Sequence, residues 1–189
     1  MRPLTDEEVA RHNAAYTRAW ELAKPYMLLA ESPKAAPLSR RARRQLGRAI
    51  DSVREALAIA PDNWSALWLL GKVYQRLDRH EDALESFHAA FLLNPSRPDV
   101  ARETGLTALA VGDAPLALRC CTAASASSPH DSGLLANLAL AYLIGGEVDR
   151  ASATAREAVE RDPGDTVSQQ VLARIVDVQT GRRPVPKCV

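Results

Sequence analysis

Small and apolar residues recur along this chain at helical spacing, and the pattern repeats. Pro61, Pro95, Pro129 and Pro163 stand 34 residues apart. Ala56, Ala90, Ala124 and Ala158 precede them at a constant offset, and Ala49, Ala83, Ala117 and Ala151 lie earlier still in the same phase. A second set shares the period. Gly71, Gly105, Ala139 and Ala173 form a small-residue column, preceded by Leu70, Thr104, Leu138 and Leu172. Tyr74, Ala108, Tyr142 and Val176 follow it, and Asp78, Gly112 and Gly146 fall at the expected turns. Each unit reads as a helix, a short turn, a second helix and a proline stop. Small columns let helix backbones approach, and the larger positions fill the gaps as ridges fill grooves. Asp and Gly tolerate the left-handed backbone that ends a helix. Proline stops the second helix because it lacks an N–H and restrains the residue before it.

The ends depart from this pattern. Thr5-Asp6-Glu7-Glu8 is a capping box, so a helix starts near Asp6. It is expected to run to about Lys24, where Pro25 kinks or ends it. Ser32 to Leu38, with two prolines, reads as a loop. Ser39 can cap a long helix from about Arg40 to Ala60. The predicted organisation is a divergent N-terminal region and first repeat with an insertion over 1–63, three repeats over 64–165, a capping helix over 166–181 and a flexible tail over 182–189. The cap is needed because a helical stack must cover its last hydrophobic face.

The pattern resembles the tetratricopeptide repeat family. The match is best from Trp64 to Arg97, through Leu67, Leu70, Gly71, Tyr74, Ala83, Phe87, Ala90 and Pro95. The repeat from Pro98 to Asp131 departs at Ala101, Thr104, Ala108 and Cys121, and the repeat from Ser132 to Asp165 at Ala139 and Ala155. The resemblance implies an all-α fold, a right-handed α-solenoid of 34-residue helix-turn-helix repeats. It also implies a concave groove lined by the first helix of each repeat, in which a peptide or partner helix lies. The groove positions carry Trp68, Lys72 and Arg76 in the first of these repeats, Arg102, Leu106 and Leu109 in the second, and Asn137, Leu140 and Leu143 in the third. The groove is thus expected to be basic with an aromatic at one end and apolar at the other. Trp68 is the expected anchor, because aromatic residues dominate interfaces. A carboxylate clamp of the chaperone-binding kind is not expected. Arg102 and Asn137 occupy two of its five places, but Leu106, Val167 and Val171 occupy the rest.

Composition narrows the function further. The net charge is +1, so no global field draws the chain to nucleic acid or an anionic membrane. The local exception is Arg40, Arg41, Arg43, Arg44 and Arg48, either a solvated helix face or a docking patch for an acidic partner. Arginine outnumbers lysine by 20 to 4, a bias of GC-rich bacterial genomes. Three cysteines, Cys120, Cys121 and Cys188, make no even disulfide framework and point to a reducing compartment. Met1 to Asn13 lacks the apolar core of a signal peptide, and no apolar run of about 20 residues could span a bilayer. A cytoplasmic location is expected.

No nucleophile elbow, phosphate loop, dinucleotide fingerprint or zinc-protease motif is present. His80 and His88 lack an obvious third ligand, and Cys121 falls where Phe87 stands one repeat earlier. No enzyme activity, metal or cofactor is expected. The expected function is a protein-interaction adaptor or scaffold that holds another protein or peptide. The alternatives are a chaperone for a secreted or assembling protein and a self-associating module that closes its own groove in a homodimer.

Overall fold

The computed structural model describes residues 2–27 and 37–189. Most of the Ser32–Leu38 segment, read above as a loop, lies outside the described residues. The described residues form nine α-helices and no strand. These are α1 (Asp6–Ala23), α2 (Arg40–Ile59), α3 (Trp64–Arg76), α4 (His80–Leu93), α5 (Pro98–Val111), α6 (Ala114–Ser127), α7 (Ser132–Ile144), α8 (Val148–Arg161) and α9 (Thr166–Gln179). A short 3₁₀ turn, Lys24–Tyr26, follows α1 at Pro25. The chain is an all-α solenoid of helical hairpins, in two compact units, Met1–Leu93 and Asn94–Val189. In the first unit α1 pairs with α2 and α3 with α4, and α2 packs on α3. In the second α5 pairs with α6 and α7 with α8, α5 and α6 each pack on α7, and α9 covers α7 and α8.

Local chemistry sets the helix ends. The Thr5 side chain accepts from Glu8 N–H, and the Glu8 carboxylate accepts from Thr5 N–H at 2.9 Å. Ser39, Asn63, Asp113, Asp131 and Asp165 cap α2, α3, α6, α7 and α9 through their side chains. Each such cap satisfies an otherwise orphaned amide and contributes about 1 kcal/mol. The hairpin turns share one solution. Arg79, Asp113 and Glu147 N–H donate back to the carbonyls of Tyr74, Ala108 and Tyr142 at 2.9–3.0 Å. The residue before each donor is left-handed: Asp78 at φ 60°, Gly112 at 82° and Gly146 at 80°. These are the helix-ending turns that the sequence spacing predicts.

The small-residue column explains the hairpin core. A Cβ on Gly71 would sit 2.6 Å from the Phe87 ring, and one on Gly105 would sit 2.7 Å from Cys121 Sγ. In the same register Ala139 and Ala155 are both fully buried. A bulky residue on the second helix thus requires glycine on the first, and where both are alanine the gap closes by itself. Ala83 and Ala117 are also fully buried. Cys120 and Cys121 are buried, and burial pushes their thiols up to about 11 and about 12. Such thiols are small core hydrophobes rather than nucleophiles. Ala173 on α9, the last member of the column, is exposed. The inner face of α9 is instead Val171 and Ile175, both buried.

Candidate interaction surface

Trp68, Lys72 and Arg76 recur every four residues on α3, so they share one stripe of that helix. The structure fills this stripe from within its own unit. Trp68 is half-buried, packed against the core cluster together with Tyr26, Met27 and Leu38. Its indole Nε1 is buried without a hydrogen-bond partner among the described residues. Lys72 is only 7% exposed, and its ammonium lies 5.9 Å from the centroid of the Trp68 ring. Arg76 Nε donates to the Tyr26 carbonyl at 2.9 Å. Trp68 is therefore not the exposed anchor that the repeat register suggests, and Lys72 is not an exposed cation. Tyr26, just after α1, supplies the acceptor for Arg76, and the 34-residue register does not encode it.

In the second unit the first helices of the two hairpins, α5 and α7, lie against each other. Arg102 and Leu106 on α5, and Asn137 and Leu140 on α7, are half-buried. Leu109 and Leu143 are fully buried, which corrects their assignment as groove residues. They follow Gly105 and Ala139 by one helical turn, so they stack on the face that packs against the second helix of the hairpin. Arg102 is paired with the carboxylate of Glu103 at 3.5 Å, and Glu103 is itself 6% exposed. Beside it lies a cavity of about 370 Å³ lined by Arg97, Asp99, Arg102, Ser128, Asp131 and Leu134. Arg97 and Asp99 are paired there at 3.2 Å. Burial acts to raise the Asp99 carboxyl, but the Arg97 guanidinium outweighs it and holds the group below its ordinary value. This surface therefore offers two half-exposed leucines beside compensated charges, not the basic track that a count of cations predicts.

The segment after α9 reaches the same unit. Arg183 N–H donates to the Asp177 carbonyl, and Val189 N–H donates to the Leu109 carbonyl at 3.2 Å. A Cβ on Gly112 would lie 2.5 Å from the Lys187 carbonyl oxygen. No periodicity in the sequence announces this contact.

Arg40, Arg41, Arg43, Arg44 and Arg48 are exposed, with no acidic residue in the first turn of α2. Arg41, Arg44, Gln45 and Arg48 line a cavity of about 380 Å³. Among the described residues no group of three or more His, Cys, Asp or Glu side chains could hold a metal ion. No helix among them is long and apolar enough to cross a membrane.

The fold is that of known repeat proteins. MamA from Desulfovibrio magneticus RS-1 superposes with a TM-score of 0.70 at 18% identity, over 95% of this chain and 88% of that one. YrrB, a tetratricopeptide repeat protein with an unusual peptide-binding site, superposes with a TM-score of 0.65 at 19% identity, over 76% of this chain and 74% of that one. The first such domain of Spaghetti, bound to the HSP90 peptide SRMEEVD, gives 0.55 at 14% identity, over 62% of this chain and 93% of that one. A search of the curated proteins finds no match. The family model described as Tetratricopeptide repeat matches residues 40–102 and 108–175, more than half of the sequence, and the chain belongs to that family.

Proposed function

We propose that the chain is a protein-interaction module, and that the adjacent faces of α5 and α7 hold an extended peptide or a partner helix. One observation carries the reading. Leu106 and Leu140 stay partly open on adjacent helices whose other leucines, Leu109, Leu134, Leu135, Leu138 and Leu143, are buried. A short apolar strip rimmed by Arg102 and Asn137 suits an amphipathic ligand: apolar side chains on the leucines, polar ones at the rim. YrrB and the Spaghetti domain supply the analogy, since both are described with a peptide site or a bound peptide. The acidic-tail mode of the Spaghetti complex is not carried over. Leu106, Val167 and Val171 stand where the family's carboxylate clamp has polar side chains.

A peptide array probed with the labelled full chain and with L140D tests this. Peptides held by the strip should lose tenfold or more in affinity to L140D, with the helical spectrum unchanged. If L140D binds as the parent does while R41E/R44E abolishes binding, the ligand surface is the N-terminal face of α2. Concentration-dependent mass on the same samples separates peptide capture from self-association through this strip.

A further inference from the structure

The second unit already holds one extended segment, its own. The segment bends at Arg182 and Arg183, where the Arg183 N–H closes back on the Asp177 carbonyl, and bends again at Lys187. Between these bends Pro184 to Pro186 runs without a turn. Pro184 and Pro186 suit that path, because each presets an extended backbone before any contact forms.

Both ends of the segment are fixed. At α9 the Arg182 and Arg183 side chains lie 3.4 and 3.6 Å from the Asp177 carboxylate. At α5 the Val189 N–H donates to the Leu109 carbonyl at 3.2 Å, which also accepts from the Gly112 N–H at 3.3 Å. Gly112 completes the seat. Its missing Cβ is the space into which the Lys187 carbonyl projects, and its φ of 82° already demands glycine. The contacts at α5 are to backbone atoms, so any extended segment with a free amide could make them.

We infer that the ends of α9 and α5 form a track for an extended, proline-containing segment with a basic start, and that residues 182–189 are its resident occupant, displaced when a partner segment of that chemistry binds. The track ends one helical turn from Leu106, so the inference rests on the proposed peptide-binding face and extends it. A tethered occupant competes at an effective concentration in the millimolar range, which lowers apparent affinity for an incoming segment until it is released.

The experiment uses a fluorescent synthetic peptide of residues 182–189, with serine in place of Cys188, added to full-length proteins. The parent chain is compared with P184G/P186G/V189P, which loosens the tail and removes the amide donated to Leu109. The track predicts that the probe binds the loosened variant roughly tenfold more tightly than the parent, by fluorescence anisotropy. Adding G112A or D177N to the loosened variant should reverse that gain, and D177N keeps the test clean should the αL position not tolerate alanine. Equal binding to parent and loosened variant, or none to the loosened variant, overturns the inference. A different peptide that depends on Leu140 but binds both proteins equally overturns it as well, while leaving the proposed function standing.

Discussion

One substitution, glycine to alanine, should have opposite signs at two helical positions of the first unit. At Gly47 on α2 a new Cβ meets nothing within 4 Å. Only the intrinsic gain remains, about 1 kcal/mol in favour of alanine in a helix. At Gly71 on α3 the same Cβ would lie 2.6 Å from two atoms of the Phe87 ring and 2.8 Å from Cγ. Carbon atoms pack comfortably at about 3.5–4.0 Å, so the overlap is close to an ångström on three atoms at once. Phe87 is fully buried and has no open side to move into. Overpacking of this kind costs about 1–3 kcal/mol, and three simultaneous overlaps place it at the upper end. Net of the helix gain, G71A should lose about 2 kcal/mol. For a chain of this size that is a fall of roughly 4–8 °C in melting midpoint, against a rise of roughly 2–4 °C for G47A. Thermal and urea unfolding of the two variants measures both signs. F87L should relieve G71A in a double-mutant cycle, because the two residues touch. A G71A protein as stable as G47A would refute the close-approach account of the small-residue column.

Two further outcomes follow from individual groups. Asp165 caps α9 through Val167 N–H at 2.9 Å and accepts from the Ser168 and Ser132 hydroxyls at 2.5 and 3.2 Å. D165A should cost about 1 kcal/mol at neutral pH, read by urea unfolding. The hydrogen bond from Ser168, then that from Val167, lowers the Asp165 pKa below its ordinary value. Its contribution is therefore present above the unfolded carboxylate range and lost as pH falls through the lower folded value, so D165A and the parent should converge in acid. A difference that persists unchanged to pH 2 would remove the carboxylate as its cause. Cys188 is exposed, whereas burial raises the other two thiols. At neutral pH a maleimide should add once to the native chain and three times after denaturation, counted by mass spectrometry; triple labelling of the native protein would contradict the packing of α6.

What the sequence makes legible is whatever the 34-residue period repeats. The glycine at 71 answers Phe87, the glycine at 105 answers Cys121, and both pairs stand in register columns before any coordinates are known. The turn residues Asp78, Gly112 and Gly146 and the caps Ser39 and Thr5 are local signals of the same kind. The surface was harder to read because its exposure depends on what lies over it. Trp68, Lys72 and Arg76 occupy groove positions by register, but Trp68 packs on the core cluster, Lys72 is buried, and Arg76 donates to the carbonyl of Tyr26, which lies outside the repeats. Arg102 reads as a free cation until its sequence neighbour Glu103 is found buried against it. The docking of the last residues on α5 is made through backbone atoms, the Val189 amide on the Leu109 carbonyl and the Lys187 carbonyl over Gly112, and no periodic side-chain pattern announces it.

The division of α7 into a packed face and an open one can itself be tested with a single pair of leucines. Leu140 and Leu143 are three residues apart, both were expected to line the groove, and both are apolar side chains of the same size. Leu143 is fully buried, one turn beyond Ala139 on the side that meets α8. Leu140, one turn earlier and a little further round the helix, is only half-buried. Truncating a buried leucine to alanine loses its transfer energy and leaves a cavity, so L143A should cost about 2–5 kcal/mol. L140A removes a side chain that water already reaches, and should stay within about 1 kcal/mol of the parent. Binding should show the reverse order. A peptide held on the α5–α7 strip should dissociate faster from L140A, because the strip loses half of its apolar contact. L143A, assayed well below its midpoint, should bind with near-parental affinity, because its side chain never reaches the ligand. Urea unfolding and dissociation rates on the same two preparations give all four values. If L140A proves as destabilising as L143A, Leu140 belongs to the core and the strip has no apolar residue on α7. If L140A is stable and binds every peptide as the parent does, the partner surface lies elsewhere on the chain.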